Sequence, residues 1–322
     1  MFRWEKLGHV FDPAAFPGRP TWMYEFAQAP SVLLFDEFVR VYFSCRPPRE
    51  PDGKCISYSA YVDLDREDLF RIVRLASKPF LELGETGCFD EFGIYPISVI
   101  RSDGAVLAYY TGRTRCESVP FDTAIGMAIS HDDGESFERV GHGPVLPYSP
   151  DEPFVLSGPK IRRFGGLYYL YYIAGRRWIE DDGRMEIVYK IRMATSGDGI
   201  EWVKENRDLI ADRLGDNEVQ ASPDVFFRNG RYHMFFCYML TPDFRYDPAK
   251  GYRIGYAVSD DLLHWERDDS KAGITVSAKG FDDEMVAYPH VFELNGGIHM
   301  LYLGNEVGRA GFGLARLDGE LA

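Results

Sequence analysis

Five copies of one pattern of apolar and polar positions run along the chain. In each copy a short apolar run follows a proline, then come a turn and a second apolar run, as in Tyr288-Pro-His-Val-Phe-Glu-Leu-Asn-Gly-Gly-Ile-His-Met-Leu-Tyr-Leu. Successive prolines of this kind are 66, 63, 64 and 66 residues apart. A period this regular over the whole chain predicts a repeat architecture. The prolines that mark the copies are Pro30, Pro96, Pro159, Pro223 and Pro289.

Each copy predicts four short strands. In the fourth copy, Asn229-Gly230 separates two apolar runs, which is the signal of a tight hairpin, and two further short runs follow up to Trp265. No long stretch with a period of 3.6 residues competes for a helix. Four antiparallel strands repeated around an axis form a propeller blade, so the sequence predicts an all-β, five-bladed β-propeller that occupies residues 1–322 as one domain. A strand at Trp4–Val10 is expected to close the ring against the last repeat.

Charge and composition narrow the class of protein. The net charge of −14 and the pI near 5.0 argue against nucleic acid and an anionic membrane as partners, because both require a basic face. No run approaches the ~20 apolar residues of a membrane span, and Met1–Lys6 lacks the apolar core of a signal peptide. The five cysteines show no Cys-x-x-Cys spacing, which is typical of free thiols in a reducing compartment. We therefore expect a cytoplasmic protein, and the sequence leaves its oligomeric state open.

Acidic residues recur at one position of the repeat. Glutamate stands five residues before the proline in four of the five copies, and the third copy has Phe154 there and Glu152 two residues earlier. The innermost strands of a propeller line its central channel, so these carboxylates are expected to converge at one mouth of the channel. Carboxylates held together repel one another, which raises the pKa of some and leaves others ionised, as a general acid and a general base require. The four glutamates are Glu25, Glu91, Glu218 and Glu284.

This register predicts Glu91 and Glu218 as the catalytic pair, because they lie on blades separated by one other blade. Glu25, Glu152 and Glu284 are predicted to bind substrate or to tune the pKa values of the pair. An alternative stays open, in which the glutamates pair with arginines or bind backbone amides and so fix the blades.

Arginines form a second register. Arg46, Arg113 and Arg176 stand 16, 17 and 17 residues after their prolines, and Arg309 lies just beyond the corresponding position of the last copy. If the first two strands of a blade are antiparallel, these arginines return to the mouth where the glutamates begin. Arginine binds carboxylate and phosphate groups through two parallel hydrogen bonds. We therefore predict that the arginines hold an anionic group of a substrate, with pairing to the glutamates as the alternative.

The same mouth is expected to carry aromatic and further polar side chains. Sugar rings stack their C–H faces on aromatic rings, so aromatic residues there indicate a saccharide site. The histidines show no metal-ligand spacing and no Gly-rich phosphate loop is present, so the sequence predicts neither a metal nor a cofactor. The predicted substrate-binding set is completed by Trp22, Tyr95, Trp178, Asp224, Tyr288 and His290.

The repeat resembles the five-bladed propeller glycosidases of glycoside hydrolase families 43, 32, 68 and 130. The resemblance rests on the run Gly166–Tyr172 and on three similar blade endings, at residues 125–137, 191–202 and 254–265, and it extends over nearly the whole chain. It implies a β-propeller that acts on a glycosidic bond. Family 43 enzymes carry their base directly before the first-blade proline and their general acid two residues before the third-blade proline. Here these positions are Ala29 and Ser157.

Three functions follow as expectations. The first is a glycoside hydrolase that acts on a saccharide or glycoconjugate able to carry an anionic group, with a carboxylate acid and base at the channel mouth. The second is a phosphorylase or transferase similar to family 130, in which the arginines bind phosphate. The third is a non-catalytic carbohydrate-binding propeller, which the absence of the family 43 residues at positions 29 and 157 favours.

Overall fold

The computed structural model of the protein, which describes residues 2–51, 54–242, 244 and 247–321, contains five four-stranded antiparallel sheets. The sheets are arranged around a central channel as propeller blades, and strands make up 53% and helices 3% of the structure. The prediction of an all-β, five-bladed propeller with four strands per blade is therefore confirmed.

Strands follow one another along the described chain with two short 3₁₀ turns, Pro248–Lys250 and Asp269–Lys271, and one four-residue helical turn, Asn305–Gly308. The strands in chain order are β1 (Arg3–Phe11), β2 (Glu25–Leu34), β3 (Phe38–Arg46), β4 (Tyr58–Asp65), β5 (Ile72–Leu75), β6 (Ile94–Ser102), β7 (Ala105–Thr114), β8 (Asp122–Ser130), β9 (Glu138–Arg139), β10 (Leu156–Phe164), β11 (Leu167–Asp181), β12 (Arg184–Ser196), β13 (Val203–Lys204), β14 (Glu218–Arg228), β15 (Arg231–Leu240), β16 (Arg253–Ser259), β17 (Glu266–Arg267), β18 (Ala287–Leu294), β19 (Gly297–Leu303) and β20 (Phe312–Asp318).

In each blade the first strand in the chain lies at the channel, and the following strands lie successively further out. Blades 1 to 4 are β2–β5, β6–β9, β10–β13 and β14–β17, and blade 5 is β18–β20 with β1 as its outermost strand. The first strand of each blade contacts the first strands of its two neighbours, so these five strands surround the channel. Their side chains are therefore the ones that reach the channel.

The ring closes where the sequence predicts it. Strand β1 pairs antiparallel with β20, from Arg3 opposite Asp318 to Phe11 opposite Phe312. Trp4 anchors this strand: it is 5% exposed, and its ring meets the edge of Phe235 with 5.3 Å between centroids. The first strand of the chain thus completes the last blade and joins it to blade 1.

Two of the three similar blade endings bind a tyrosine of the preceding blade. In the second copy the Ser130 hydroxyl accepts a hydrogen bond from the Gly134 amide (2.8 Å), and the Gly134 carbonyl accepts one from the Tyr42 hydroxyl of blade 1 (2.8 Å). Gly134 has a φ of +78°, and a Cβ there would lie 2.0 Å from the Tyr42 hydroxyl oxygen, so the turn requires glycine. In the third copy the same positions are held by Ser196, Gly199 and Tyr109.

Hydrogen bonds also join the innermost strands of all five blades into a ring. In four of the five junctions a side chain close to the marker proline accepts from a backbone N–H of the next blade, and in the fifth an arginine donates to a backbone carbonyl. The bonds in order around the ring are Val99 N to Ser31 Oγ (3.2 Å), Ile161 N to Ser98 Oγ (3.1 Å), Arg162 Nε to Val225 O (2.9 Å), Val291 N to Asp224 Oδ2, and Val32 N to His290 Nε2 (3.0 Å).

Removing the closing anchor tests the role of β1. We expect Trp4→Ala to lower the free energy of unfolding by about 3–5 kcal/mol, because it leaves a cavity against Phe235. Leu7→Ala on the same strand is the matched control, since Leu7 is 38% exposed and its truncation should have little effect. Urea denaturation monitored by far-UV circular dichroism gives both free energies of unfolding, because this signal does not depend on the tryptophan that is removed. Equal stability of the two variants would show that β1 does not anchor the ring.

Candidate functional site at the channel mouth

Glu218, one of the two predicted catalytic residues, lies fully buried at the start of β14. Its carboxylate accepts hydrogen bonds from the backbone amides of Arg213 and Leu214 (2.8 Å each), from Gln220 Nε2 (2.9 Å) and from Arg267 Nη1 (2.5 Å). Burial acts to raise the pKa of Glu218, but these hydrogen bonds outweigh it and lower the pKa below its usual value. The carboxylate is therefore ionised and bound on every side by its own blade.

Glu152 has the same kind of environment in blade 3. It is fully buried, and its carboxylate binds the Tyr172 hydroxyl (2.8 Å), Arg192 (3.0 Å) and Lys204 (2.6 Å). An acid before or at the start of the first strand, a tyrosine on the second strand and a cation on the fourth strand recur in blades 2, 4 and 5. The corresponding sets are Asp90, Tyr110 and Arg139 in blade 2, Glu218 and Arg267 with the Tyr238 ring in blade 4, and Asp282, Tyr302 and Lys6 in blade 5.

These buried clusters connect the start of the first strand of a blade to the second and fourth strands by hydrogen bonds and ion pairs. The arrangement matches the structural alternative for the repeated acids, and it includes Asp90 and Asp282, which the five-residue register missed. The sequence contained a signal for both acids. Each lies six or seven residues before the marker proline, and a tyrosine, Tyr110 or Tyr302, lies 14 or 13 residues after that proline.

The other three predicted glutamates differ in their surroundings. Glu91 is partly buried, and its carboxylate accepts from the Gly87 amide (2.9 Å). Glu25 is 7% exposed and forms an ion pair with Arg309 (2.9 Å). Glu284 is exposed. Glu91 and Glu218 are thus each held within their own blade, and their roles as acid and base stay predictions.

Two of the four predicted arginines are neutralised by acids. Arg309 pairs with Glu25 and with Glu306 (2.9 Å each), and Arg176 pairs with Asp208 (2.5 Å). These contacts satisfy both guanidinium groups within the protein.

Arg46 and Arg113 have no carboxylate partner within the part of the chain that the structure describes. The Arg46 guanidinium contacts Gln28 Oε1 (3.2 Å) and lies over the Phe26 ring, while Arg113 lies over Phe121. The Nε of each arginine is buried with no hydrogen-bond acceptor among the described residues. Burial lowers the pKa of Arg46, and the charge of Arg113 nearby lowers it further. Two neighbouring, partly buried guanidinium groups with no ion pair to a carboxylate among the described residues have hydrogen-bond donors that an anion could use.

The backbone before the marker prolines shapes this mouth. Four of the five pre-proline residues have left-handed φ values between 49° and 63°, and each sits at a bulge where the innermost strand shifts register against the second strand. Bulges bend a strand and re-aim its side chains. Tyr95 lies at a similar register shift, between Ile94 and Ile97, but its φ is not positive. The four left-handed residues are Ala29, Gly158, Ser222 and Tyr288.

Tyrosines surround Arg46. Among the neighbours that raise the pKa of Arg46, Tyr95 has the largest effect. Burial raises the pKa of Tyr288, and the positive charge of Arg46 acts in the opposite direction. The hydroxyls of Tyr189 and Tyr252 contact each other beside this group. Burial raises the pKa of both Tyr288 and Tyr252 well above the usual value, so these phenols stay protonated and offer O–H donors.

An extended hairpin of blade 3 forms one wall of the mouth. Strands β11 and β12 stay paired as far as Asp181 opposite Arg184. On this extension Trp178 meets Phe121 of blade 2 edge-on, with 5.7 Å between the ring centroids. Its neighbour Arg177 donates to Asn217 before blade 4 (2.7 Å). Trp22 lies further round, edge-on to Tyr58 at 6.1 Å.

Asp224 and His290 meet in the channel interior. The His290 Nδ1 lies 3.7 Å from Asp224 Oδ2 and 3.4 Å from Lys160 Nζ, and all three residues are at most 3% exposed. Burial lowers the pKa of His290 well below its usual value. Burial also lowers the pKa of Lys160 to about 8, although the negative charge of Asp224 acts to raise it. Since His290 Nε2 accepts from Val32, the proton of the neutral ring lies on Nδ1.

These groups form a polar floor beneath the mouth. Among the described residues, no group of three or more His, Cys, Asp or Glu side chains is placed to hold a metal ion. The described part of the chain also contains no helix with the length and hydrophobicity of a membrane span.

Comparison with known proteins places the chain in a family. Uncharacterized protein Rv1502 of Mycobacterium tuberculosis is 36% identical to it over 318 residues, which cover 98% of this chain and 99% of the relative. The chain belongs to the same family as Rv1502. A beta-1,2-mannobiose phosphorylase of Thermoanaerobacter sp. is 25% identical over 178 residues, which cover 52% of this chain and 54% of that protein. No family model matches the chain.

Solved structures share the fold. The beta-1,2-mannobiose phosphorylase of Listeria innocua, solved with β-1,2-mannobiose, matches with a TM-score of 0.68 at 14% identity over 99% of this chain and 96% of that one. A thermostable family-43 glycoside hydrolase matches with a TM-score of 0.65 at 16% identity over 93% and 91% of the two chains. The fold is therefore that of the five-bladed propeller glycosidases and phosphorylases, as the repeat predicted.

The buried Glu218 cluster makes a prediction about stability and pH. Glu218→Gln should lower the free energy of unfolding at pH 7 by about 1–3 kcal/mol, because the buried Arg267 loses one of its two carboxylate partners and keeps only Asp269. The folded-state pKa of Glu218 is depressed, so its contribution is present above the usual glutamate pKa of about 4.3 and is lost as the pH falls through the folded-state value.

Denaturant titrations at a series of pH values between 7 and 3 measure this contribution. The difference between wild type and Glu218→Gln should be largest at neutral pH and shrink below about pH 4.3. Glu284→Gln is the matched control, because Glu284 is exposed. A difference that does not change with pH would show that the ion pair is not its source.

Proposed function

We propose that this protein is a glycoside phosphorylase, which cleaves a glycosidic bond with inorganic phosphate bound between Arg46 and Arg113. The observation that carries the proposal is the pair of neighbouring guanidinium groups with no carboxylate partner among the described residues, at the mouth of a propeller channel. Phosphate is a dianion near neutral pH, and arginine matches its oxygens with parallel hydrogen bonds. A bound phosphate would supply the charge and the acceptors that the two arginines lack.

The surrounding side chains suit a saccharide beside that phosphate. Trp178 and Phe121 form an aromatic wall against which a sugar ring can stack, and Tyr288 offers an O–H donor. The wall comes from blades 2 and 3, and Arg46 and Tyr288 come from blades 1 and 5, so a ligand at the mouth contacts both sides of the channel opening. The predicted substrate-binding roles of Trp178, Tyr95, Tyr288, Arg46 and Arg113 are part of this proposal.

The relatives support phosphorolysis and suggest the first sugar to test. The two mannoside phosphorylases of Thermoanaerobacter sp. with partial sequence similarity are a beta-1,2-mannobiose phosphorylase and a 1,2-beta-oligomannan phosphorylase. We therefore propose short mannosides as the first substrates. The assay supplies mannose 1-phosphate of either anomeric configuration with mannose or mannobiose as acceptor, and measures the inorganic phosphate that is released.

The arginine pair gives the sharpest test of this function. Arg46→Gln and Arg113→Gln should each raise the KM for phosphate in the phosphorolytic direction by about 10- to 100-fold, since each removes charge-assisted hydrogen bonds to the anion. Arg176→Gln is the matched control, because the Arg176 guanidinium is already paired with Asp208. Turnover that does not depend on phosphate, in wild type and variants alike, would contradict a phosphorylase.

Hydrolysis of an anionic saccharide is the second candidate. Glu25 favours it, because this carboxylate lies at the start of β2 opposite Arg46, and it would have to leave its ion pair with Arg309 to activate water. In that case the arginines would bind a carboxylate of the substrate, and mannose or a uronic acid would be released without phosphate.

Saccharide binding by calorimetry with no product under either condition would instead support the non-catalytic propeller.

A further inference from the structure

Gln28 gives the Arg46 guanidinium a hydrogen-bond acceptor that carries no charge. The Gln28 side chain lies on β2 and is 7% exposed, and its Oε1 accepts a hydrogen bond from Arg46 Nη2 (3.2 Å). The guanidinium carbon of Arg46 also lies 4.3 Å from the centroid of the Phe26 ring, and the Phe26 amide donates to the Arg309 carbonyl before β20 (3.0 Å). An amide oxygen at one edge and an aromatic ring on one face hold the guanidinium group in place, and neither brings a carboxylate.

The helical turn Asn305–Gly308, which precedes β20, fixes the orientation of the Gln28 amide. Gln28 Nε2 donates a hydrogen bond to the Val307 carbonyl of this turn (2.8 Å). A carbonyl oxygen only accepts hydrogen bonds and a guanidinium group only donates them, so the two partners decide which end of the amide faces each of them. The oxygen of Gln28 therefore faces Arg46, and its nitrogen faces Val307.

This turn has an unfavourable backbone conformation. Glu306 and Val307 have left-handed φ values of 51° and 55° in succession, although residues other than glycine adopt this conformation singly and a β-branched side chain disfavours it further. Neighbouring groups hold the turn in place. The Asn305 Oδ1 accepts from the amides of Glu284 (2.9 Å) and Met285 (3.2 Å), and the Val307 amide donates to the Met285 sulfur (3.4 Å). Backbone strain persists only where the surrounding structure imposes it, and it recurs at binding sites.

We propose that Gln28 is a positioning residue that orients Arg46 towards an anion without neutralising it, and that the turn Asn305–Gly308 holds Gln28 in the required orientation. The proposal rests on the proposed function, because it assumes that Arg46 binds phosphate at the mouth. Arg176 and Arg309 show the contrast, since carboxylates orient both guanidinium groups and also cancel their charge. An amide oxygen orients the group and leaves its positive charge to a ligand.

A purely structural role of Gln28 predicts a different pattern of losses. If Gln28 only tied β2 to the turn, each variant that loses the hydrogen bond to Val307 would lower stability, and the KM for phosphate would not depend on the charge of the new side chain. A positioning role instead acts on the KM for phosphate. The loss is then largest where the new side chain is negatively charged, because that charge competes with phosphate for Arg46.

Two substitutions of similar size separate the shape of the Gln28 side chain from its neutrality. Gln28→Met removes both hydrogen bonds and adds no charge, so it should raise the KM for phosphate in phosphorolysis of β-1,2-mannobiose by about 3- to 10-fold. Gln28→Glu places a carboxylate against Arg46 and should raise this KM by at least about 30-fold, because the new ion pair competes with phosphate. In both variants kcat at saturating phosphate and the KM for mannobiose should stay within about 3-fold of wild type.

Val307 offers a matched pair of variants in the turn itself. Val307→Gly keeps the carbonyl and suits a left-handed φ, so the KM for phosphate should stay within about 3-fold of wild type. Val307→Pro restricts φ to about −65° and removes the amide N–H, so it moves the carbonyl away from Gln28. It should therefore raise the KM for phosphate by about 3- to 10-fold, as Gln28→Met does. Circular dichroism reports whether each variant folds, and the Gln28 variants carry the test if Val307→Pro does not.

The order of the variants decides the outcome. The same KM for phosphate in Gln28→Met and Gln28→Glu, whether raised or unchanged, would overturn the role of Gln28. A loss in Val307→Gly as large as the loss in Val307→Pro would show that the side chain of Val307, and not its carbonyl, matters. That result would overturn the role of the turn.

Calorimetric titration with inorganic phosphate distinguishes failure of the inference from failure of the proposed function. If wild type binds phosphate but cleaves mannobiose without it or not at all, phosphorolysis of mannosides is wrong, and the phosphate affinities of the Gln28 variants still decide the inference. If wild type binds no phosphate and needs none for turnover, both are overturned. If wild-type turnover depends on phosphate and the Gln28 variants leave its KM unchanged, only the role of Gln28 falls.

Discussion

The ring of hydrogen bonds between the innermost strands is the interaction on which the rest of the structure depends. Each of these strands has a strand partner on only one side, so its other backbone groups must find partners across the blade junction or remain unpaired in a buried place. Ser31, Asp224 and His290 provide such partners. Because the ring uses these side chains for structure, they are engaged within the protein, whereas Arg46 and Arg113 at the mouth are not paired with a carboxylate among the described residues.

Buried acid clusters complete this division between structure and site. In blades 2 to 5 an acid before the first strand binds a cation from the fourth, and the tyrosine between them saturates the carboxylate or covers the cation. Glu152 and Glu218, two of the acids that the repeat predicts at the mouth, are thereby neutralised inside their blades, whereas Glu91 and Glu284 lie outside these clusters. Arg46 and Arg113 have no such partner within the described residues, so two guanidinium charges stay without an ion pair in a protein whose net charge is −14. Under the proposed function, these two charges attract the anionic reactant despite the overall charge.

The period of the sequence was enough to predict the number of blades, their four strands and the closing strand, because each depends on local hairpins and on one repeated spacing. The register of the arginines also located Arg46 and Arg113. What the sequence did not show is which charges would be paired, since Arg267 reaches Glu218 from 49 residues away and Asp208 lies 32 residues beyond Arg176. Such partners are fixed by how strands lie side by side in three dimensions. The left-handed φ of Tyr288, which Tyr95 does not share, was equally invisible, because both residues precede a proline.

The tyrosine at position 95 and the unpaired arginines are physically linked. A carboxylate directly before Pro96 would sit beside Arg46 and form an ion pair with it, as Glu25 does with Arg309. That pair would cancel the charge that an anion requires at the mouth. A tyrosine at this position brings no carboxylate, so it leaves both guanidinium groups available to a dianion. Under the proposed function, a tyrosine rather than a carboxylate before Pro96 is therefore what allows Arg46 and Arg113 to bind phosphate.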